Sequence, residues 1–138
     1  QAIPETLERT IAKEYKIGRR VNLEPAMQMT DRLHGHMVSG HVDFVGTVDS
    51  LTFTGENVSF WVQFPKEYKK YFAMKGSVTV NGVSLTISNL EELRFEVQII
   101  PHTQNTTNLD VTLNHNWDHN NVNVEVDLIA RYLENFVK

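Results

Sequence analysis

Through the middle of the chain apolar and polar residues take turns. Val58, Phe60, Val62 and Phe64 alternate with Ser59, Trp61 and Gln63, the period of two that buries one face of a β-strand. Residues 42–48 form another strand-like run ahead of a loop at Gly55-Glu56-Asn57, and residues 94–100 and 122–126 supply two more. Between residues 76–80 and 83–88 stands Asn81-Gly82, a pair that accepts the positive φ angles of a type I′ hairpin. Two stretches have helical spacing instead. Residues 65–72 open on proline and set Tyr68, Tyr71 and Phe72 three and four apart, which suits one short helix across a barrel mouth. Residues 128–137 carry Ile129, Leu133 and Phe136 on one stripe behind Asp127, an N-cap candidate. A terminal helix of this kind ordinarily packs on its own domain; an oligomer contact is its other use. The pattern predicts a mainly β fold, a six-stranded antiparallel closed barrel with short helices and a C-terminal helix, because closure removes exposed sheet edges. A sandwich is the alternative.

Two stretches repeat each other. Ile3-Pro4-Glu5-Thr6, Thr10 and Val21-Asn22-Leu23-Glu24 are echoed in order by Ile100-Pro101-His102-Thr103, Thr107 and Val122-Asn123-Val124-Glu125, with Pro101 standing 97 residues after Pro4. That spacing is too long for a solenoid, whose units run about 20 to 50 residues, and predicts a tandem domain. Two similar strand ends within one fold would be the plainer explanation. On the tandem reading residues 1–25 end one barrel, and residues 26–138 hold a second barrel with its terminal helix.

Composition narrows the classes. The 138 residues leave room for one full domain, and 41% hydrophobic with 22% charged residues is ordinary globular usage. A net charge of −4, with the Lys66, Lys69 and Lys70 cluster broken by Glu67 and two tyrosines, argues against a nucleic-acid partner. The absence of cysteine removes disulfides, thiolate nucleophiles and CxxC metal sites. No apolar run approaches the roughly 20 residues of a membrane span, and no signal-peptide pattern occurs, so a cytoplasmic protein is expected. Gln1 in place of Met leads to the expectation of a truncated N-terminus.

Candidate chemistry is concentrated in His34-Gly35-His36-Met37-Val38-Ser39-Gly40-His41-Val42-Asp43, expected at the start of the first strand. On an extended chain His36 and His41 point to opposite faces, which disfavours a shared metal. Gly40 would permit close ligand approach, and His41 could donate, accept or move a proton; structurally hydrogen-bonded histidines are the plain alternative. Ser84 and Thr86 share one strand face, expected to be the barrel interior, where hydroxyls need partners. No Gly-X-Ser-X-Gly elbow, P-loop or dinucleotide fingerprint occurs. His115, Trp117, Asp118 and His119 fall in a polar connection that reads as a solvated loop.

Taken in order, Pro4-Glu5-Thr6-Leu7-Glu8-Arg9-Thr10, Val21-Asn22-Leu23-Glu24, Gly35-His36-Met37-Val38-Ser39-Gly40-His41-Val42-Asp43, Lys75-Gly76-Ser77, Asn81-Gly82-Val83-Ser84-Leu85-Thr86, Ile100-Pro101-His102-Thr103 and Val122-Asn123-Val124-Glu125 resemble the riboflavin synthase family over nearly the whole chain. The resemblance implies two similar six-stranded barrels with a C-terminal helix, assembled as a homotrimer. It also implies an activity: of two 6,7-dimethyl-8-ribityllumazine molecules one passes a four-carbon unit to the other, giving riboflavin and a ribitylamino-pyrimidine without metal or added cofactor. The family's working site lies between the N-terminal barrel of one subunit and the C-terminal barrel of another. A chain holding one full barrel is therefore expected to bind ligand and turn over weakly alone.

The same resemblance implies the site residues. Gly40, His41, Val42, Lys75, Ser84, Leu85, Thr86 and the strand end of Ile99, Ile100, Pro101, His102, Thr103 and Gln104 match the lumazine site of the C-terminal barrel. Gln1, Ala2, Ile3, Pro4, Glu5 and Thr6 match part of the N-terminal one. His41 is the candidate for proton transfer, Ser84 and Thr86 for ligand positioning, and Asp127 matches a functional acid. His102 stands where the family often has Glu, and Gln104 where Leu is usual, which leaves specificity there open. A non-catalytic lumazine- or flavin-carrying fluorescent protein of the same fold is the alternative, although the paired-His Ser-Gly-His pattern such relatives tend to lose is intact here.

Overall fold

The computed structural model describes residues 2–109 and 120–137; His115, Trp117, Asp118 and His119 lie outside them. Six antiparallel strands, β1 (Phe44–Thr54), β2 (Asn57–Gln63), β3 (Ser77–Val80), β4 (Val83–Leu90), β5 (Arg94–Ile99) and β6 (Asn121–Val126), close into a barrel in the order β1-β2-β5-β4-β3-β6. Alternation aims Val58, Phe60 and Val62 of β2, Val78 and Val80 of β3, Phe95 and Val97 of β5, and Val124 and Val126 of β6 into one core. Asn81 and Gly82 have φ of 49° and 82°, the double positive pair of a type I′ turn, and Val80 pairs with Val83 across it.

The first strand runs past its expected end at residue 48. A register shift between Val48 and Ser50 lets β1 pair first with β6, through Phe44 to Thr47, and then with β2 as far as Thr54; a bulge bends a strand that must change partners. The lid expected at residues 65–72 is a 3-10 helix, Lys66–Tyr71. Behind it Phe72 packs on Phe64 and Phe95, with centroids 4.7 and 5.1 Å apart, and Tyr68 packs on Phe44 at 4.5 Å.

Helix α1 (Pro4–Arg9), a 3-10 helix at Ile11–Glu14, α2 (Pro101–Thr106) and α3 (Leu128–Phe136) complete the described fold. The expected N-cap of α3 is present, Asp127 accepting from Ile129 N at 2.9 Å. Its apolar stripe does not pack on the barrel as an ordinary terminal helix would: Ile129, Leu133 and Phe136 are 68%, 56% and 83% exposed. Polar links hold the other side, Arg131 to Asp43 and Lys70 Nζ to Glu134 at 2.6 Å. None of the described helices is long and apolar enough to cross a membrane.

Residues 2–43 contribute no strand. They lie against the outside of the barrel, where Asn123 Oδ1 accepts from Ile11 N at 2.8 Å and Asn22 Nδ2 donates to Asn81 O at 2.8 Å.

Candidate functional site

The core-facing residues of β4 are Leu85 and Ile87, so Ser84 and Thr86 point outward. This corrects the expectation of hydroxyls in the barrel interior: the alternation was sound, and the phase set by Leu85 and Ile87 decides which face is wet. On that outer face Thr79 of β3 pairs with Ser84 on one side and with Glu125 of β6 on the other. A polar row therefore crosses three strands. It is nevertheless shielded, Thr79 being 2% and Glu125 4% exposed.

The cover is the segment 34–43, which is not the start of a strand as expected but an extended strap crossing the row. Its main chain finds side-chain partners in place of a ladder. The His36 main-chain N–H donates to Ser84 Oγ at 3.2 Å, and the imidazole sits between Ser84 Oγ, 2.7 Å from Nδ1, and Thr79 Oγ1, 3.0 Å from Nε2. The Ser84 hydroxyl oxygen accepts from the His36 main-chain N–H, and the ring is held at both nitrogens by hydroxyls of neighbouring strands, Ser84 of β4 and Thr79 of β3. Gly35 permits the approach, since a Cβ there would lie 2.5 Å from Ser84 Oγ and its φ is +79°.

Further along, Glu125 accepts from Ser39 and Gly40. Asp43 Oδ2 accepts from Val126 N at 2.8 Å, and both its oxygens lie 2.8 Å from Arg131. Tyr68 Oη donates to Asp43 O at 3.1 Å; burial first, and then the negative charge of Asp43, push this phenol above its ordinary pKa, which keeps it a donor. Between these anchors His41 is exposed and Val42 half-buried. Among the described residues nothing bonds the main-chain N–H of either, or the His41 imidazole.

The structure thus brings Gly40, His41, Val42 and Ser84 onto one strap and its seat. Thr86 is exposed on the same face of β4, opposite Ser77. Leu85 belongs to the core, so only its main chain can meet a ligand. Lys75 is exposed in a turn closed by Gly76 N to Ala73 O at 2.9 Å, and holds φ +64°, a left-handed conformation that is costly for a long side chain such as lysine. Asp127 serves as the cap of α3. No described hydrogen bond joins it to His41, Ser84 or Thr86.

The expected strand end at residues 99–104 stops at Ile99. Pro101 at the first helical position starts α2, because its fixed φ suits a helix and its missing N–H costs nothing there. Ile100 and His102 are exposed, and Pro101 and Thr103 half-buried. Gln104 turns inward, Nε2 donating to Glu56 O at 2.9 Å. Ala2, Ile3, Pro4, Glu5 and Thr6 are exposed at α1; Gln1 lies outside the described residues. Thr79, Glu125 and Arg131 were not read as site residues from the sequence, and His36 and Asp43, though inside the candidate run, were given no role in the site. Period two in residues 122–126 puts Glu125 on the outer face, but its partners stand 85 and 86 positions away. Among the described residues no three His, Asp or Glu side chains gather as a cation site.

Comparison with known proteins bears on this geometry. Residues 39–127 match the family described as the Lumazine binding domain. The chain is 48% identical to riboflavin synthase of Photobacterium leiognathi over 134 residues, 97% of this chain and 60% of that protein. It is 46% identical to riboflavin synthase of Photobacterium phosphoreum over 131 residues, 94% of this chain and 58% of that one. The chain therefore spans about three fifths of the length of these relatives. Its fold is that of LumP, solved with riboflavin (TM-score 0.77, covering 90% of this chain and 65% of LumP, 24% identity) and with 6,7-dimethyl-8-(1'-D-ribityl) lumazine (TM-score 0.73).

Proposed function

The chain belongs to the lumazine-binding domain family, and from that premise we propose that it binds 6,7-dimethyl-8-ribityllumazine and riboflavin at the strap, as the C-terminal barrel of a riboflavin synthase. The observation that carries the reading is the pair of main-chain N–H groups at His41 and Val42, held between two anchors and without partners among the described residues. Carbonyl oxygens on the edge of a planar pyrimidinedione are the acceptors such an edge suits. The ribityl chain supplies hydroxyls for Thr86 and the exposed polar face of β4.

In the reaction, one lumazine loses a proton from its activated methyl group, and a four-carbon unit passes to the second, giving riboflavin and a ribitylamino-pyrimidinedione. His41 is the candidate to move or orient that proton, its imidazole being exposed and, among the described residues, without a hydrogen-bond partner. Ser84 acts as a brace through His36, and Thr86 and Lys75 as ligand contacts. Asp127 and the segments at residues 1–6 and 99–104 complete the proposed set, the last two as parts of two equivalent sites. Holding two rings face to face can itself remove about 7–11 kcal/mol of barrier, so a site with few strong acids or bases is sufficient.

Such a pairing needs two barrels, and the exposed stripe of Ile129, Leu133 and Phe136 on α3 offers a surface for assembly as a homotrimer. Riboflavin formation by the purified 138-residue chain tests the proposal. Tight binding with turnover at least about 100-fold below that of a protein with both barrels is expected from the lost positioning; equal turnover would overturn it. The second reading is a lumazine- or flavin-carrying protein without activity, of the same fold as LumP, which was solved with riboflavin and with the lumazine. Bound-lumazine emission with no turnover in a two-barrel protein would decide for that reading.

A further inference from the structure

Glu125 has no part in the reaction as proposed, yet its surroundings are unusual for a carboxylate. It is buried at the end of β6, a depth at which an acidic group persists only with its oxygens engaged. Among the described residues no lysine or arginine pairs with it. Its partners all come from the strap. Oε1 accepts from Ser39 N at 2.8 Å and from Ser39 Oγ at 2.9 Å, and Oε2 accepts from Gly40 N at 3.0 Å. Two consecutive main-chain N–H groups converging on one carboxylate form an anion nest, and Gly40, with φ +79°, supplies the left-handed residue the turn needs.

His41 follows immediately. Two residues beyond it, Asp43 is tied to Val126 N and to Arg131, so one stretch of chain, residues 125–131, grips the strap on both sides of His41. We infer that Glu125 is a positioning residue of the ligand site: by fixing the Ser39-Gly40 turn it presents the main-chain edge and imidazole at residues 41–42 in a single geometry. This rests on the reading that the ligand meets the strap there. The chemistry of the group matters as much as its size. A carboxylate offers acceptors to every donor in the nest, whereas a glutamine must turn its NH2 toward Ser39 N–H or Gly40 N–H and release one of them.

The test uses the 138-residue chain labelled with 15N, first without ligand and then with riboflavin. In the ligand-free protein Glu125→Gln should move the Ser39 and Gly40 amide protons upfield and speed their exchange about tenfold. The Ile87 amide, bonded to Gly76 O within the barrel at 2.9 Å, should keep its position and rate. Riboflavin should then bind about tenfold more weakly to Glu125→Gln and about threefold more weakly to Ser39→Ala. Ser39 is exposed, so its variant carries the same test if Glu125→Gln does not fold. Unchanged Ser39 and Gly40 resonances, or shifted resonances with unchanged affinity, would overturn the inference. Failure of the ligand reading looks different: riboflavin would then perturb the native chain while sparing residues 40–42.

Discussion

Helices α1 and α2 are nearly superimposable in their local detail and differ in what lies beneath them. Ile3 and Ile100 enter with φ, ψ of −83°, 161° and −83°, 162°, and Thr10 and Thr107 leave with −128°, 168° and −129°, 170°. Thr10 Oγ1 donates to Thr6 O at 2.6 Å and Thr107 Oγ1 to Thr103 O at 2.7 Å. Even the next contacts are reciprocal: Ile11 N donates to Asn123 Oδ1 and Asn108 N to Asn22 Oδ1. Yet Gln104 is 8% exposed while Leu7, its counterpart in the echo, is 39% exposed. Sequence within the segment determines the shape of the turn, and the barrel under it determines which side chain is buried.

The position-104 contrast should give the largest effect. Gln104→Ala leaves Glu56 O without its donor and should lower stability by about 2 kcal/mol. Leu7→Ala should cost less than about 0.5 kcal/mol in the same chain. Urea midpoints measure both, and equal losses would show that the two helices are seated alike. We propose that Leu7 becomes the buried residue when a barrel lies beneath α1, in which case the Leu7→Ala penalty should rise in a two-barrel protein.

The reciprocal asparagines come next. Asn123→Ala orphans the N–H of the buried Ile11 and should cost about 1–2 kcal/mol, with the Ile11 amide exchanging faster. Asn22→Ala removes three hydrogen bonds, to Asn81 O, Asn108 Oδ1 and Asn108 N, from a half-exposed site, and should cost about 1 kcal/mol. An Asn22 effect larger than that of Asn123 would reverse the ranking that burial predicts. A gentler test is the threonine pair. Thr10 accepts from Ala12 N at 3.1 Å and Thr107 from Leu109 N at 3.2 Å, so Thr10→Ala and Thr107→Ala should each cost about 1 kcal/mol. A gap above about 0.5 kcal/mol between them would mean that the surroundings, rather than the turn, set the energy.

The same division explains what could be read from the chain beforehand. Alternation in residues 58–64 and the Asn81-Gly82 pair are local signals, and β2 and the type I′ hairpin follow from them. Helix α2 is a local signal that went unread, because six residues with Gln104 as their one buried side chain show no apolar stripe and leave only Pro101 as a marker. The strap is a different case. His36 meets Ser84 across 48 positions and Ser39 meets Glu125 across 86, and no periodicity encodes a segment whose main chain is satisfied by distant side chains. The motif around His41 was visible; what holds it was not.

The smallest effect belongs to an ion pair that one twin has and the other lacks. In α1, Arg9 Nε lies 3.0 Å from Glu5 Oε1, with both side chains more than half exposed. In α2 the matching residues are His102 and Thr106, and Thr106 Oγ1 donates to His102 O at 2.8 Å. An exposed pair four apart on a helix gains little, because water screens it and two long side chains lose freedom in making it. Glu5→Gln should therefore lower stability by less than about 0.5 kcal/mol, and that difference should vanish near 1 M salt, where the Debye length shrinks to about 3 Å. A loss that persists at high salt would mean that Glu5 supports the turn itself, and the two helices would then owe their common shape to different causes.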